Sequence, residues 1–340
     1  MILLILSLNM VACNSNEKKR YEAEFLLLFD TVTQIVSYSD SKEEFAEYAE
    51  LIHDNLEEYH QLYDIYNDYD GINNIKTIND HDGIEPVKVD KRIIDLLVFS
   101  KDIYKKTNGK VNIAFGSVLK IWHDYRTEGV EDFENAAVPP IDQLEAAAKH
   151  TDIKSVIINE AESTVFLKDS EMRLDVGAIA KGYATEQVCK IAMENGFHSG
   201  LISVGGNVRA IGSKGDTDQL WNVGIQNPKE EIGQSDLHVV YLTDVSLVTS
   251  GIYQRYYMVN GKSYHHIIDP ETLFPSEYYA AVTIITENSG MADALSTAVF
   301  NMPFEQGNDF IESLKDTEAL WVFNDGEMKY SSNFKKLIKK

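Results

Sequence analysis

Polar and apolar residues alternate through Glu171-Met172-Arg173-Leu174-Asp175-Val176, a period of two that predicts a strand with Met172, Leu174 and Val176 turned inward. The period then changes. Over residues 178–194 the apolar positions Ile179, Tyr183, Val188, Ile191 and Ala192 recur at roughly helical spacing, and Asn195-Gly196 supplies a stop. Gly177 therefore stands where a strand hands over to a helix, with Lys181 in the helix's first turn. A helix start presents unpaired N–H groups and the positive end of the dipole, which suits phosphate, and a lysine there adds a full charge. The same pattern also fits an ordinary strand–helix joint carrying a surface lysine.

A second helical stretch, residues 290–300, is stopped by Pro303 and sets Ala294, Leu295, Ala298 and Val299 in a core stripe. Asp293 and Thr297 are four apart, so they share a face and their oxygens can converge. A carboxylate and a hydroxyl are hard ligands, right for Mg²⁺ or Ca²⁺ and wrong for zinc. The plainer alternative is an aspartate favouring the helix dipole and a threonine bonded to its own backbone.

Elsewhere the pattern predicts a strand over 25–38 and a long acidic, tyrosine-rich helical region over 41–69. An amphipathic helix follows at 90–107, then a strand over 110–116 leading into 117–122, a loop over 128–140 and a helix over 142–150. Residues 156–159 and 164–167 read as a hairpin, and 200–208 as a strand running into a Gly205-Gly206-Asn207 turn. Further short strands fall at 221–226, 238–242, 247–249, 254–259 and 281–286. Many short strands around a few helices indicate an α+β fold with mainly antiparallel sheets and packed helices, as one big domain or two intimately packed ones over 25–335.

The 340 residues, 44% of them hydrophobic, can bury a large core. A net charge of −23 argues against nucleic acid and against a polybasic membrane patch. No central segment is apolar and long enough to span a bilayer. Residues 1–12 form a short apolar run, and Cys13-Asn14-Ser15-Asn16-Glu17 follows at once. That order reads as a lipoprotein signal peptide cut before Cys13, with lipid on that cysteine and a polar tether over 13–24. The run lacks the lysine or arginine that ordinarily precedes one, and a buried N-terminal strand with an incidental cysteine is the alternative. Cys189, the other cysteine, builds no disulfide framework by itself.

Taken with Thr249-Ser250-Gly251 and Tyr264-His265-His266-Ile267-Ile268-Asp269-Pro270, these segments resemble the ApbE family of FAD:protein FMN transferases. That family shows, in order, an aspartate–glycine–lysine–glycine segment, a Gly-Gly-Asn or Gly-Gly-Asp turn, Thr-Ser-Gly, His-Ile-x-Asp-Pro and Ala-Asp-x-x-x-Thr. Each motif is weak alone; five in the right order are specific. The resemblance implies a T-fold-like architecture and Mg²⁺-dependent transfer of the FMN half of FAD to a threonine or serine hydroxyl, releasing AMP. The acceptor it implies is a flavoprotein of a membrane or extracellular electron-transfer chain. A lipid anchor on the outer face of a bacterial cytoplasmic membrane would fit that partner.

Carried over by position, the resemblance implies flavin or FAD contacts at Phe29, Tyr66, Lys110, Val111, Asn112, Asp175, Lys181 and Ile268. It implies metal ligands at the Ala178 carbonyl, Asp293 and Thr297. His266 aligns with the family histidine and His265 with a variable position; His266 reads either as a base for the acceptor hydroxyl or as a structural histidine of the turn. Three positions depart from the family pattern: Asn112 stands where many relatives have aspartate, Ile252 where many have a polar residue, and Leu273 where glycine is commonest. Two other readings share the motifs, an FAD pyrophosphatase releasing FMN and AMP, and a non-enzymatic flavin-binding lipoprotein.

Overall fold

A computed structural model of the chain describes residues 4–6, 18–229, 236–253 and 255–339. Leu4–Leu6 (β1), Lys19–Leu26 (β2) and Val32–Ser39 (β3) begin its largest sheet. Residues 25–38 are not one strand. The chain reverses through a short turn at Leu28–Asp30, with Leu27, Phe29 and Asp30 in the left-handed region at φ 80°, 53° and 54°. β2 pairs with β3 from Lys19↔Ser39 to Leu26↔Val32, so residues 19–24, expected as tether, lie in the sheet. Apart from β1, the expected signal peptide lies outside the described residues, and so does Cys13.

Helix α1 (Lys42–Tyr63) starts where Ser41 accepts a hydrogen bond from Glu44 N, and it buries Phe45, Ala49, Ile52 and Leu56 on one face. It stops at Asp64, short of the expected Tyr69. α2 (Ile75–Asp80) opens on a reciprocal Asn74/Thr77 capping box, and α3 (Lys91–Lys106) is capped by Asp90. Val87–Lys88 (β4) precedes α3. No strand forms over 110–116. Asn112 accepts from Ala114 N at 2.9 Å, capping a turn at Ile113–Phe115 that runs into α4 (Gly116–Glu131). The first residue of α4 touches the central segment: a Cβ on Gly116 would lie 2.5 Å from the Arg173 carbonyl oxygen. α4 also takes in residues 128–131, expected as loop. α5 (Ile141–Ala148) follows, then β5 (Val156–Asn159) and β6 (Thr164–Leu167), which with β4 form a three-stranded sheet.

After α6 (Ala180–Glu194) come β7 (Gly200–Val204), β8 (Asn207–Ile211), β9 (Trp221–Ile225), β10 (His238–Leu242) and β11 (Ser246–Gly251). β12 (Tyr256–Val259), β13 (Lys262–His265) and β14 (Tyr279–Thr286) precede α7 (Ser289–Phe300) and α8 (Phe304–Glu312); β15 (Glu318–Phe323) and β16 (Met328–Tyr330) close the order. The nine-stranded sheet runs β1-β2-β3-β7-β8-β11-β14-β15-β16, with every pair antiparallel. Both faces of its centre are covered. Val282 and Ile284 of β14, with Ala319 and Trp321 of β15, join the core that also holds α1, α6 and α7 residues. The alternate residues Ala281, Ile285, Leu320 and Val322 pack with Trp221, Val240 and Phe334 on the other face. This two-sided burial explains why β14 is buried at every position rather than alternating.

Candidate active site

The central segment is extended but unpaired by any strand. Leu174 is held by one side chain: Asn79 accepts from Leu174 N at 2.6 Å and donates to Leu174 O at 3.0 Å. Asp175 N donates to Ile113 O at 2.8 Å, joining the segment to the turn before α4. Met172, Leu174 and Val176 are buried as expected. Asp175 Oδ1 then accepts from Gly177 N at 2.8 Å, a turn that delays the helix to Ala180. Burial raises the pKa of Asp175; the Gly177 amide, His123, Arg255 and Arg126 oppose the shift.

The entrance of α6 is already occupied by an anion from the protein itself. Gly182 N donates to Asp293 Oδ2 at 2.8 Å, and Ala180 N is taken by the Val176 carbonyl. With those amides taken, the positive charge this helix start offers the cleft is the Lys181 side chain. Asp293 is buried, which raises its pKa; Lys181 and the Gly182 amide work in the opposite direction. The Asn207 amide stands beside the Asp293 carboxylate but short of hydrogen-bond geometry, leaving Asn207 Nδ2 buried and without a protein partner among the described residues. It arrives there because Gly205 and Gly206, at φ 56° and 87°, make a tight turn between β7 and β8.

α7 is tied to the Thr-Ser-Gly segment through hydroxyls. Ser296 Oγ donates to Asp293 O at 2.8 Å, so the 2.8 Å contact between Ser250 and Ser296 is donated by Ser250. Thr249 meets Thr283 of β14 at 2.8 Å. Ile252 is half-buried against the main core and does not line the cleft, so its apolar character does not alter the cleft's chemistry.

The two adjacent histidines have separate roles. His265 is buried, donates from Nε2 to Ser276 O at 2.8 Å and accepts from Ile267 N at 3.2 Å. His266 opens onto the cleft, and its Nδ1 lies 3.2 Å from the Arg255 carbonyl oxygen. A carbonyl can only accept, so Nδ1 carries the proton and Nε2 keeps its lone pair. The surrounding cleft walls first, and Arg255 second, push the pKa of His266 down to about 3. Solvent access to the ring moderates the shift without reversing it: at pH 7 the imidazole is neutral.

An aromatic wall faces this side. Asp64 caps α1 and gathers the loop after it, accepting from Tyr66 N at 2.6 Å, Asn67 N at 3.1 Å and the Tyr69 hydroxyl at 2.8 Å. Burial alone would raise the pKa of Asp64; these donors outweigh it and the net shift is downward. Phe29 N donates to His60 Nδ1 at 3.2 Å, which leaves His60 Nε2 to donate to the Tyr69 oxygen at 3.3 Å. Phe29 and Tyr66, distant in sequence, are thus joined by one chain of hydrogen bonds. Nothing in the periodicity of residues 25–69 signalled it.

Lys110 is 7% exposed and its ammonium is engaged, at 3.2 Å from Asp269 and 2.9 Å from Glu271. It fastens the 110–112 strip to the Asp-Pro turn. Asn112, besides capping the turn, donates to Thr151 O at 2.9 Å. Leu273 sits at φ 63°, a conformation glycine adopts without strain, and its carbonyl accepts from Trp122 Nε1 at 2.9 Å. Its side chain is buried in a third core with Trp122, which offsets that strain.

These segments enclose one cleft of about 320 Å³, at the lower end of small-molecule sites. Phe29, Tyr66, Lys110, Val111, Asn112, Asp175, Ala178, Lys181, His266, Ile268, Asp293 and Thr297 all line it. The donors Ala178 O, Asp293 and Thr297 are all oxygen and share one wall set, which fits a hard divalent cation. Sequence reasoning missed His123, Arg126 and Arg255, which line the same cleft. They belong to no motif and come from α4 and the approach to β12.

Residues 29–321 match the ApbE family. The chain is 34% identical over 271 residues to an FAD:protein FMN transferase of Treponema pallidum, covering 76% of this chain and 73% of that one. It is 29% identical to a protein of the same name from Klebsiella pneumoniae, covering 76% and 77%. The fold superposes on the crystal structure of the ApbE protein of Thermotoga maritima with a TM-score of 0.81 at 30% identity, over 95% of this chain and all (100%) of that one. The apo flavinyl transferase ApbE of Pseudomonas stutzeri, at 21% identity, shares the fold with a TM-score of 0.76. On motif order, fold and cleft together, the chain belongs to the ApbE family.

Proposed function

We propose that this chain transfers the FMN half of FAD to a hydroxyl of an acceptor flavoprotein. The observation that carries the reading is that Gly182 and Asp293, from two distant motifs, bond inside a cleft where His266 presents an unprotonated Nε2. The similar Treponema and Klebsiella proteins bear the name of this activity.

In this reading Phe29 and Tyr66 hold the flavin ring, the 110–112 strip and Ile268 border it, and Asp175 fixes its polar edge. Lys181 offsets diphosphate charge. His266 Nε2 takes the proton of a threonine (or serine) hydroxyl; the oxygen bonds to the phosphorus of the FMN half as that phosphorus loses its bond to AMP, which leaves with the electron pair. A Mg²⁺ held by the Ala178 carbonyl, Asp293 and Thr297 would supply Lewis-acid neutralisation of the diphosphate when bound. Most of the chain's contribution is placement, which suffices for phosphoryl chemistry.

Lipid on Cys13 would hold the enzyme at the outer face of the cytoplasmic membrane, beside acceptors of a membrane or extracellular electron-transfer chain. Cleavage there would remove β1, a three-residue edge strand, and leave β2 as the edge. The test is a mass spectrum after incubation with FAD, Mg²⁺ and a peptide carrying one threonine. An FMN adduct with AMP release bears the reading out; free FMN and AMP without adduct, or unchanged FAD, rejects it.

A further inference from the structure

Away from the cleft, α6 and α7 meet a second time. Ser289 N, at the start of α7, donates to Glu186 Oε2 of α6 at 2.9 Å. Glu186 Oε2 also lies 3.6 Å from Arg209 Nε of β8, and the two residues are 5% and 6% exposed. None of Glu186, Ser289 and Arg209 lines the cleft. We propose that Glu186, held by Arg209, is a positioning residue for the cation site. It locks the start of α7 to α6, so that Asp293, one turn further on, is set for the metal. The inference rests on the transfer reading above, with its Mg²⁺ at Asp293, and deepens it by naming a remote residue on which that site depends.

Spacing carries the argument. Gly182 and Glu186 are four apart on α6, and their partners Asp293 and Ser289 are four apart on α7 in the opposite direction. Four helical residues rise about 6 Å, so the two contacts form rungs one turn apart. β8 repeats the interval. Asn207 stands beside Asp293, and Arg209, two residues on and about 6–7 Å away on the same face of the strand, stands beside Glu186. Each rung thus joins one residue of α6, one of α7 and one of β8. Backbone contact leaves little slack between the rungs. A Cβ on Gly182 would lie 2.4 Å from the Ser289 carbonyl oxygen, and one on Gly290 would lie 3.1 Å from Tyr183 Cα.

The buried charges suit this role. A carboxylate and a guanidinium taken out of water add little net stability over apolar residues of like size; what such a pair can supply is register. Its ends are fixed. Arg209 Nη1 donates to Ala210 O at 3.0 Å, and the exposed Lys190 reaches Glu186 Oε1 at 3.5 Å. Glu186 Oε2 meets Ser289 N at the positive end of the α7 dipole, where a negative charge is favoured. Asp293 needs support from outside the cleft. Among the described residues its carboxylate takes one hydrogen bond, from Gly182 N, and a cation drawing on the same carboxylate competes for it.

The test uses the full protein and two double variants, Arg209→Met combined with Glu186→Gln or with Glu186→Met. Neither leaves a buried charge alone, so both fold. The first keeps an oxygen for Ser289 N and the second does not. Electron paramagnetic resonance of free Mn²⁺ with FAD present reads metal affinity, flavin fluorescence reads FAD affinity without metal, and thermal melts read stability. Mn²⁺ affinity should fall about 10- to 100-fold with Glu186→Met and stay near wild type with Glu186→Gln, while metal-free FAD affinity holds in both. In transfer, the Glu186→Met pair should need correspondingly more Mg²⁺ and recover kcat at saturation. Glu186→Asp alone keeps a carboxylate beside Arg209 but falls one methylene short of Ser289 N, and should repeat the loss. Unchanged Mn²⁺ affinity with Glu186→Met and Glu186→Asp overturns the inference alone. An equal loss with Glu186→Gln, or a loss shared by metal-free FAD affinity and melting temperature, also overturns it. Wild type that binds no Mn²⁺ with FAD overturns the metal assignment, and the positioning role with it.

Discussion

The amide of Gly182 donates to the carboxylate of Asp293 across 2.8 Å, joining the start of α6 to the face of α7 over 111 positions of sequence. This contact replaces a missing helix cap: Ile179, at the cap position of α6, makes no side-chain hydrogen bond. It also points Asp293 at the cleft shared with Ala178 and Thr297.

Close approach of the two helices depends on glycine at 182. A Cβ there would sit 2.4 Å from both Asp293 Cβ and the Ser289 carbonyl oxygen. Gly182→Ala should therefore destabilise the protein by about 1–3 kcal/mol through overpacking and move Asp293 off its position. Chemical denaturation measures the first effect, and FMN transfer, expected to fall more than about tenfold for 1.4 kcal/mol of lost transition-state binding, the second.

Asp293 opposes stability and serves function. Its folded pKa is raised, so the native state holds that proton more tightly than the unfolded chain. The associated stability is present at low pH and is lost as pH climbs from the ordinary value of about 4 through the raised one. Asp293→Asn keeps an acceptor for Gly182 N–H and escapes the loss. At pH 8 without metal it should melt above wild type; added Mg²⁺ should raise the wild-type Tm and leave the variant's unchanged. Thermal melts with and without Mg²⁺ decide this, and transfer by the variant should be abolished.

His266 predicts an unusual pH profile. Its pKa is pushed down, so the base form persists as pH falls below the ordinary histidine value. Single-turnover transfer should show no limb near pH 6.5 on the acid side. His266→Ala should slow transfer by roughly 10²–10⁴-fold while FAD binding survives. A limb at the ordinary histidine value would contradict the assignment.

The loop bearing Tyr66 should fail by a different route. Asp64 has a lowered pKa, so its contribution is present above the ordinary carboxylate value and lost as pH drops through the lowered one. Asp64→Asn leaves donors at Tyr66, Asn67 and Tyr69 with a weaker partner. It should cost about 1–3 kcal/mol at pH 7 and raise KM for FAD more than it lowers kcat. Denaturation and steady-state kinetics check the two halves separately.

The helices around the site were legible because their signals are local. Asn195-Gly196 ended α6, and Asp293 and Thr297 shared the predicted face of α7. The hairpin at Leu27–Thr31 was hidden: Leu27 and Phe29 take left-handed backbone without glycine or asparagine to announce it, amid residues of high strand propensity. The segment 171–176 alternated like a strand because it is extended and buried on one side. Its partner, however, is the Asn79 side chain, 95 positions away, which no local pattern encodes. Arg126 and Arg255 were invisible for a similar reason, since a pair brought together by tertiary folding has no spacing to read.

The convergence of the two helices on one cation is tested most directly by anomalous scattering from crystals grown with FAD and Mn²⁺ in place of Mg²⁺. The account predicts one strong peak coordinated by the Asp293 carboxylate, the Thr297 hydroxyl and the Ala178 carbonyl, with the FAD diphosphate completing its shell. Manganese bound only elsewhere, such as at the surface trio His53, Asp54 and Glu57, would contradict it.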